Sequence, residues 1–345
     1  MTIWETTLEQ LPVSKDKKDV VRYMELTPIQ QFYYGQSVLI TGGTGFIGKL
    51  LIHKLLTSCV HIHNIYVIIR QKKGEDYKQR HSALLSDKIF DNLRTISPNG
   101  LCVLEKVIPI NGDVTKPGLG LSDQNRNLLC KEVSMVFHSA ATVRFNEQLK
   151  TALVTNVIGT QNIVKLCKEM IRLKSLVHVS TSYSQFRNEC VEEKLSPPPI
   201  DINEIFHLAT LPDEKRLTEL KSILLKTWPN AYCLTKNLAE QVIKNSELPA
   251  AIIRPSIVGS SHKYPTPGWV ISSSGAPSMV LFSSLGALHV LNADNDTIVD
   301  VIPVDMVVNV MIVAGWRNAR DSCFGASSHH PQSLLDLGVI SNIAA

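Results

Sequence analysis

SVLITGGTGFIGKLL, residues 37–51, sets a short apolar run before four glycines within seven residues, and then resumes an apolar pattern without glycine. SVLIT reads as a strand. GFIGKLLIHKLLTS, with Ile47, Leu50, Leu51, Leu55 and Leu56 at helical spacing, reads as the helix that follows. Glycines between a strand and a helix permit a tight turn, let the backbone approach a pyrophosphate at the helix N-terminus, and allow close helix-to-strand packing. Both GxGxxG from Gly43 and TGxxGxxG from Thr41 fit this stretch. The residues expected against a dinucleotide are Thr41, Gly42, Gly43, Thr44, Gly45, Phe46, Ile47 and Gly48.

Outward from this turn, the same alternation recurs. NIYVIIR, LEKVIPINGDV, SMVFHSAA, SLVHVSTS and PAAIIRPSIVG read as strands. Helices are expected over DYKQRHSALLSDKIFDNLR, ALVTNVIGTQNIVKLCKEM and NAYCLTKNLAEQVIKN. Continuous apolar strands alternating with amphipathic helices imply a parallel sheet covered on both faces, a doubly wound α/β fold of the Rossmann kind. The expected organisation is a lead-in over 1–35, a nucleotide-binding domain over 36–262, a smaller substrate-binding segment over 263–318 and a divergent tail over 319–345.

The end of the second strand refines the nucleotide. An enzyme that prefers NAD usually carries Asp or Glu there to hold the ribose 2′-hydroxyl. This chain has Arg70, followed by Lys72 and Lys73, which suits the 2′-phosphate of NADP. Asp113, in NGDV after a later strand, has two readings: an acceptor for the adenine amino group, or a turn-forming carboxylate.

Composition bounds the rest. The 345 residues are 44% hydrophobic and carry a net charge of +4, enough for a large core and too little clustered charge for a nucleic-acid arm. Seven scattered cysteines with no CxxC spacing indicate neither a disulfide framework nor a zinc site, so no metal is expected. The N-terminus lacks the apolar stretch of a signal peptide, and the triplet Asn295-Asp296-Thr297 reads as accidental. Residues 270–291 contain no charged side chain over a span-like length, but Pro277, several serines and His289 favour a buried or substrate-facing segment over a membrane helix.

Tyr232 and Lys236, in NAYCLTKN, stand four apart on one helix face, where an ammonium can lower a phenol's pKa. Upstream, HVSTSYS ends a strand in hydroxyl residues. Thr181 or Ser180 there could hydrogen-bond a substrate carbonyl beside the tyrosine, at the sheet edge where open α/β folds bind ligands; Ser182 is a rival. His138 reads as a core or cofactor-wall histidine, Asn156 as an organiser of its helix, and Arg254 with Pro255 as structural or substrate-bordering.

The order TGGTGFIG, VFHSAATVRFNE, HVSTSYS, WPNAYCLTKNLAE and IIRPSIV resembles the extended short-chain dehydrogenase/reductases. RQKKGED, GDVTKPGLGLS and VDVIPVDMVVN bring the likeness closer to the alcohol-forming fatty acyl-CoA reductases, particularly those of insects, over about residues 30–316. The resemblance implies reduction of a long-chain acyl-CoA by NADPH through an aldehyde to a fatty alcohol. Thr181, Tyr232 and Lys236 would be the catalytic set, with Tyr232 and Lys236 also meeting the cofactor. It further implies membrane-surface association at peroxisomes or the endoplasmic reticulum, and no nucleic-acid partner. Alternatives are a related dehydrogenase or epimerase acting on a sterol or nucleotide sugar, or a truncated NADP-binding protein acting by association. Two departures bear on these. Family members continue into a helical C-terminal domain, whereas this chain stops at Ala345, and no Lys or Arg lies between Lys263 and Arg317, so CoA phosphates would be gripped elsewhere.

Overall fold

In the computed structural model of the chain, the described residues are 23–72, 74–95, 103–186, 191–197, 200–210, 225–271, 276–290, 294, 296, 299–324 and 339–341. Lys73, Asn295, Thr297, most of the lead-in and most of the tail lie outside them.

The elements in chain order are α1 (Pro28–Tyr33), β1 (Ser37–Thr41), α2 (Phe46–Ser58), β2 (Ile65–Ile69), α3 (Tyr77–Leu85), α4 (Asp91–Thr95), β3 (Val107–Asn111), α5 (Asp123–Glu132) and β4 (Val133–His138). Then come α6 (Leu149–Ala152), a π-helical segment (Leu153–Ile158), α7 (Gly159–Glu169), β5 (Ser175–Val179), α8 (Ile202–Thr210), α9 (Ala231–Lys244), β6 (Ala250–Arg254) and β7 (Ile257–Gly259). The last are α10 (Ala276–Ser284), β8 (Val301–Pro303), α11 (Val304–Phe324) and β9 (Val339–Ser341).

The main sheet is parallel, in the order β3-β2-β1-β4-β5-β6-β9. Successive strand side chains point to opposite faces, and each face has its own core. Val38, Ile40, Val67, Phe137, Val177 and Ile253 pack with α2 and α11, while Leu39, Ile68, Val136, Leu176 and Ile252 pack with α7 and α9. Continuous apolar strands are what a sheet buried on both faces requires. The doubly wound expectation is met, with the strand order reversing between β1 and β4.

Three local differences from the sequence reading have physical causes. The helix expected over residues 76–94 breaks into α3, a 3-10 turn (Lys88–Phe90) and α4, because Asp87 accepts from the Ile89 N–H at 3.1 Å and starts a new turn. Pro255 separates β6 from β7, which pairs with β8 in a small second sheet. Of the 270–291 segment, expected to be buried or substrate-facing, the described α10 residues Met279, Val280, Leu281 and Phe282 are exposed rather than buried, while 272–275 and 291 lie outside the described residues. Among the described residues no helix is long and apolar enough to cross a membrane.

Periodicity alone does not pick out α11, which closes one face of the sheet and runs across the 318/319 boundary. Tyr33 Oη donates to the Ile312 carbonyl at 2.9 Å, and a Cβ at Gly315 would lie 2.7 Å from Met135 Cε, so helix and sheet approach closely. Asp305, in its first turn, accepts the backbone N–H groups of His262, Lys263 and Tyr264 at 2.8, 2.9 and 3.1 Å. Burial pushes this carboxyl up, but the amide donors outweigh it and hold the pKa below the usual range. The 262–264 loop is thereby fixed to the start of α11, and Tyr264 Oη meets His53 Nδ1 of α2 at 2.6 Å.

Candidate active site

The strand-order switch places the ends of β1 and β4 side by side, with the glycine turn between β1 and α2 opening into a cleft of about 660 Å³. Gly42 has φ +73°, and a Cβ there would sit 2.8 Å from the Ala140 nitrogen in the loop after β4. At Gly48 a Cβ would lie 2.3 Å from the Gly42 carbonyl oxygen, so only glycine lets α2 pack against the turn. Gly45 is the N-cap of α2 and no side chain caps that end, leaving backbone N–H donors directed at the cleft. Thr41, Gly42, Thr44, Gly45, Phe46, Ile47 and Gly48 all line the cleft. Gly43 instead lies beneath the turn, where an added Cβ would strike Val67.

At the end of β2, Arg70 lines the cleft and lies 3.9 Å from Asp113, the other candidate there. Asp113 Oδ1 also accepts from Thr115 N–H and Oγ1 at 3.0 and 2.8 Å, the turn-forming role. Lys72 lines the cleft too. Sequence reasoning missed Arg80, on the first turn of α3, which donates to the Arg70 carbonyl at 2.5 Å and to Thr44 Oγ1 at 3.3 Å. Its only signal is a basic residue one helical turn into the element after β2. These groups give one end of the cleft a cluster of cationic donors suited to a phosphate.

The opposite wall comes from β5, α9 and β6. Thr181 follows β5 as the N-cap of a 3-10 turn (Ser182–Gln185), with its Oγ1 accepting from the Tyr183 N–H at 3.4 Å. Thr181, Tyr232 and Lys236 all line the cleft, so the three residues singled out for chemistry converge there. Ser182 does not line it, and Ser180 donates its hydroxyl to Glu240, leaving Thr181 as the hydroxyl that faces the phenol.

The electrostatics differ from the expectation that Lys236 lowers the Tyr232 pKa. Burial pushes the phenol up to about 12, and the hydrogen bond with Thr181 is the influence that opposes it. Lys236 sends its ammonium to the Val179 carbonyl at 2.7 Å instead. Its own pKa falls to about 8, chiefly through burial, with Glu240 opposing. At neutral pH the phenol keeps its proton and the lysine keeps its charge.

Behind these residues lies a polar brace. His138 contacts Thr41 Oγ1 at 2.7 Å through Nδ1 and Thr160 Oγ1 at 3.1 Å through Nε2. It is buried, has both ring nitrogens partnered and does not line the cleft, which fits the core alternative of the expectation rather than the cofactor wall. Asn156, inside the π-helical segment, accepts from the Thr142 N–H at 2.9 Å and donates to the Thr142 carbonyl at 3.2 Å and to Thr235 Oγ1 at 2.9 Å. The π turn thus ties α9 to the loop after β4.

The cleft mouth is apolar. Val143 and Phe145, 65% and 68% exposed, flank it, and the Phe145 ring lies 5.8 Å from that of Tyr232. Val270 and Ile271, the first two residues of the segment expected to be buried or substrate-facing, line it as well. Trp269 stacks on Phe46 at 5.3 Å, joining this rim to the start of α2. Among the described residues no group of three or more His, Cys, Asp or Glu could hold a metal ion.

Comparison with known proteins agrees with this architecture. The family model described as "Male sterility protein" matches residues 40–311. Human "Fatty acyl-CoA reductase 1" is 38% identical over 293 residues, covering 84% of this chain and 56% of the relative. "Fatty acyl-CoA reductase wat" of Drosophila melanogaster is 38% identical over 297 residues, covering 86% and 57%. The chain therefore spans a little over half the length of the curated relatives it matches. Among solved structures, the terminal R domain of the myxalamid PKS-NRPS pathway aligns with TM-score 0.59 at 20% identity, covering 89% of this chain and 65% of that one. The reductase domain of a Mycobacterium tuberculosis nonribosomal peptide synthetase aligns with TM-score 0.55 at 20% identity, covering 98% and 72%.

Proposed function

The chain belongs to the male sterility protein family, and on that footing we propose that it is a nicotinamide-dependent reductase that converts long-chain acyl-CoA thioesters to fatty alcohols, with NADPH as reductant. What carries this reading is the convergence of Thr181, Tyr232 and Lys236 on a cleft that has a glycine turn and cationic groups at one end and an apolar mouth at the other. The cradle fits a dinucleotide, since Gly42 and Gly48, where a Cβ would strike backbone, hold the turn tight against α2 and the loop after β4, and no side chain caps the helix N-terminus at Gly45. Thr41 to Gly48 would hold the pyrophosphate; Arg70, Lys72 and Arg80 would hold the 2′-phosphate, which favours NADPH over NADH. Asp113, beside Arg70, would border the adenine. The nicotinamide supplies hydride, and that chemistry is the cofactor's own.

The remaining roles belong to this chain. Thr181 orients the thioester carbonyl. Tyr232, whose proton is retained at neutral pH, donates from Oη to the carbonyl oxygen as negative charge builds there. The Lys236 ammonium commits one donor to the Val179 carbonyl and has others for ribose hydroxyls. Val143, Phe145, Val270 and Ile271 shelter the start of the acyl chain. Contact with a lipid surface, peroxisomal or endoplasmic-reticular, belongs to the same reading, supported by the exposed apolar face of α10.

Incubating the purified chain with NADPH and palmitoyl-CoA, with products identified by mass spectrometry, tests this. The expected product is the corresponding fatty alcohol, and Tyr232→Phe is expected to slow turnover by about 10²–10⁴-fold. Equal turnover in Tyr232→Phe would remove the proposed acid. NADPH binding without turnover on any acyl-CoA would favour a binding protein instead.

A further inference from the structure

α9 carries more on its active face than Tyr232 and Lys236. Glu240 continues the same four-residue spacing and lies on the same side of the helix. Its side chain is wholly buried, as is that of Arg254, the last residue of β6. Arg254 grips it with two donors, Nε to Oε1 at 3.0 Å and Nη2 to Oε2 at 2.7 Å. The same carboxylate accepts the hydroxyl of Ser180, the hydroxyl of Ser184 at 2.7 Å and the amide of Gln185 at 3.3 Å. A carboxylate has about four lone-pair sites, so this one is saturated. Among the described residues, every donor other than Arg254 comes from Ser180–Gln185, the segment that contains Thr181 and Tyr183, both of which line the cleft.

Neighbouring contacts run the same way. Asn237 donates to the Ser184 carbonyl at 3.1 Å, Ser180 N–H donates to the Ile253 carbonyl at 2.7 Å, and Arg254 Nη1 donates to the Glu192 carbonyl at 3.1 Å. A buried ion pair is weak evidence for stability, because well-packed apolar residues often do as well. Apolar residues could not hold the two serine hydroxyls.

We infer that Glu240 and Arg254 are a positioning pair: their ion pair fastens the 180–185 segment to α9 and so keeps Thr181 in register with Tyr232. The inference deepens the proposed function, on which it rests for the meaning of that register. Neither residue touches the cleft. The pair acts through Ser180 and Ser184 on the residue between them, and displacement of a reacting group by about 1 Å can cost on the order of 10²-fold in rate.

The test uses the full chain labelled with fluorotyrosine, with the Tyr232 fluorine resonance assigned by its loss in Tyr232→Phe. Glu240→Leu/Arg254→Met removes both charges together and leaves no unpaired ion. The Tyr232 resonance is expected to move to the position it takes in Thr181→Val, NADPH affinity to stay at the parental value, and turnover to fall by about 10–100-fold. Glu240→Gln/Arg254→Met keeps an amide oxygen for Ser180 and Ser184, and is expected to restore most of the resonance position and rate. A folded Glu240→Leu/Arg254→Met protein with parental resonance and rate would overturn the inference. Should that variant fail to fold, Ser180→Ala/Ser184→Ala decides, because it keeps the ion pair and removes the two hydroxyls through which the pair acts: a Tyr232 resonance moved toward its Thr181→Val position would support the inference, and a parental one would overturn it. Absence of acyl-CoA turnover in the parent would count against the proposed function alone, because the resonance still decides the positioning role.

Discussion

Replacing His178 with leucine makes a quantitative prediction about acid stability. His178, on β5, pairs in register with His138 of β4, and the two rings lie 5.2 Å apart. Both are fully buried. Burial first, then the Lys236 charge and the neighbouring His138, hold the His178 pKa well below its ordinary value, and neither of its ring nitrogens has a hydrogen-bond partner among the described residues. In the unfolded chain the imidazole takes up a proton near pH 6.5. The unfolded state therefore binds more protons than the folded state below that pH, so stability falls with acidity. From pH 7 to pH 5 the contribution of one such histidine is about 2 kcal/mol.

His178→Leu is expected to lose that share of the pH dependence. At pH 7 it should match the parent or exceed it by about 1 kcal/mol, because two unpartnered buried nitrogens are gone. His138→Leu differs. His138 is also held neutral by burial, its pKa lowered to about 3, but its removal leaves the Thr41 and Thr160 hydroxyls without their imidazole partner, and it should destabilise at pH 7 by about 1–3 kcal/mol. Urea unfolding at pH 7 and pH 5 reads both effects. An equal fall in stability for the parent and His178→Leu would refute the reasoning, since it would mean His178 titrates alike in folded and unfolded chains.

Other outcomes follow from the same geometry. Gly48→Ala forces a Cβ onto the Gly42 carbonyl, so NADPH binding followed by nucleotide fluorescence should disappear, with a stability cost of about 1–3 kcal/mol on urea unfolding. Arg80→Ala should narrow the preference for NADPH over NADH by about tenfold in titration calorimetry, while affinity for NADH stays near the parental value. Lys236, with its pKa lowered to about 8, is charged below that pH and neutral above it. kcat/KM should therefore decline as pH rises through 8, and Lys236→Arg should lack that limb. Replacing Val280 and Phe282 with serine should reduce co-flotation with phosphatidylcholine vesicles, because both are exposed apolar side chains on α10.

Much of the fold is written in short-range pattern. The six sheet strands expected from the sequence are apolar runs bounded by turn residues, and each appears in the sheet at the expected place. The glycine turn is legible because no other residue type satisfies its close approaches. What the pattern does not contain is long-range. α11 gains its place from Met135, Tyr33 and the 262–264 loop, none of which is near it in sequence. Arg80 enters the cleft through a hydrogen bond to Arg70, and Glu240 meets Arg254 only because α9 lies over β6. Tyr232 and Lys236 are legible as a spaced pair, but their electrostatics are not: the Val179 carbonyl takes the ammonium and Thr181 takes the phenol.

The most direct measurement is a crystal structure of the chain with NADP⁺ bound. The pyrophosphate should rest on the backbone of Gly42–Gly45, the 2′-phosphate should contact Arg70 and Arg80, and the nicotinamide should face the Tyr232 hydroxyl. Nucleotide density away from the glycine turn, or a phenol turned out of the cleft, would contradict the account.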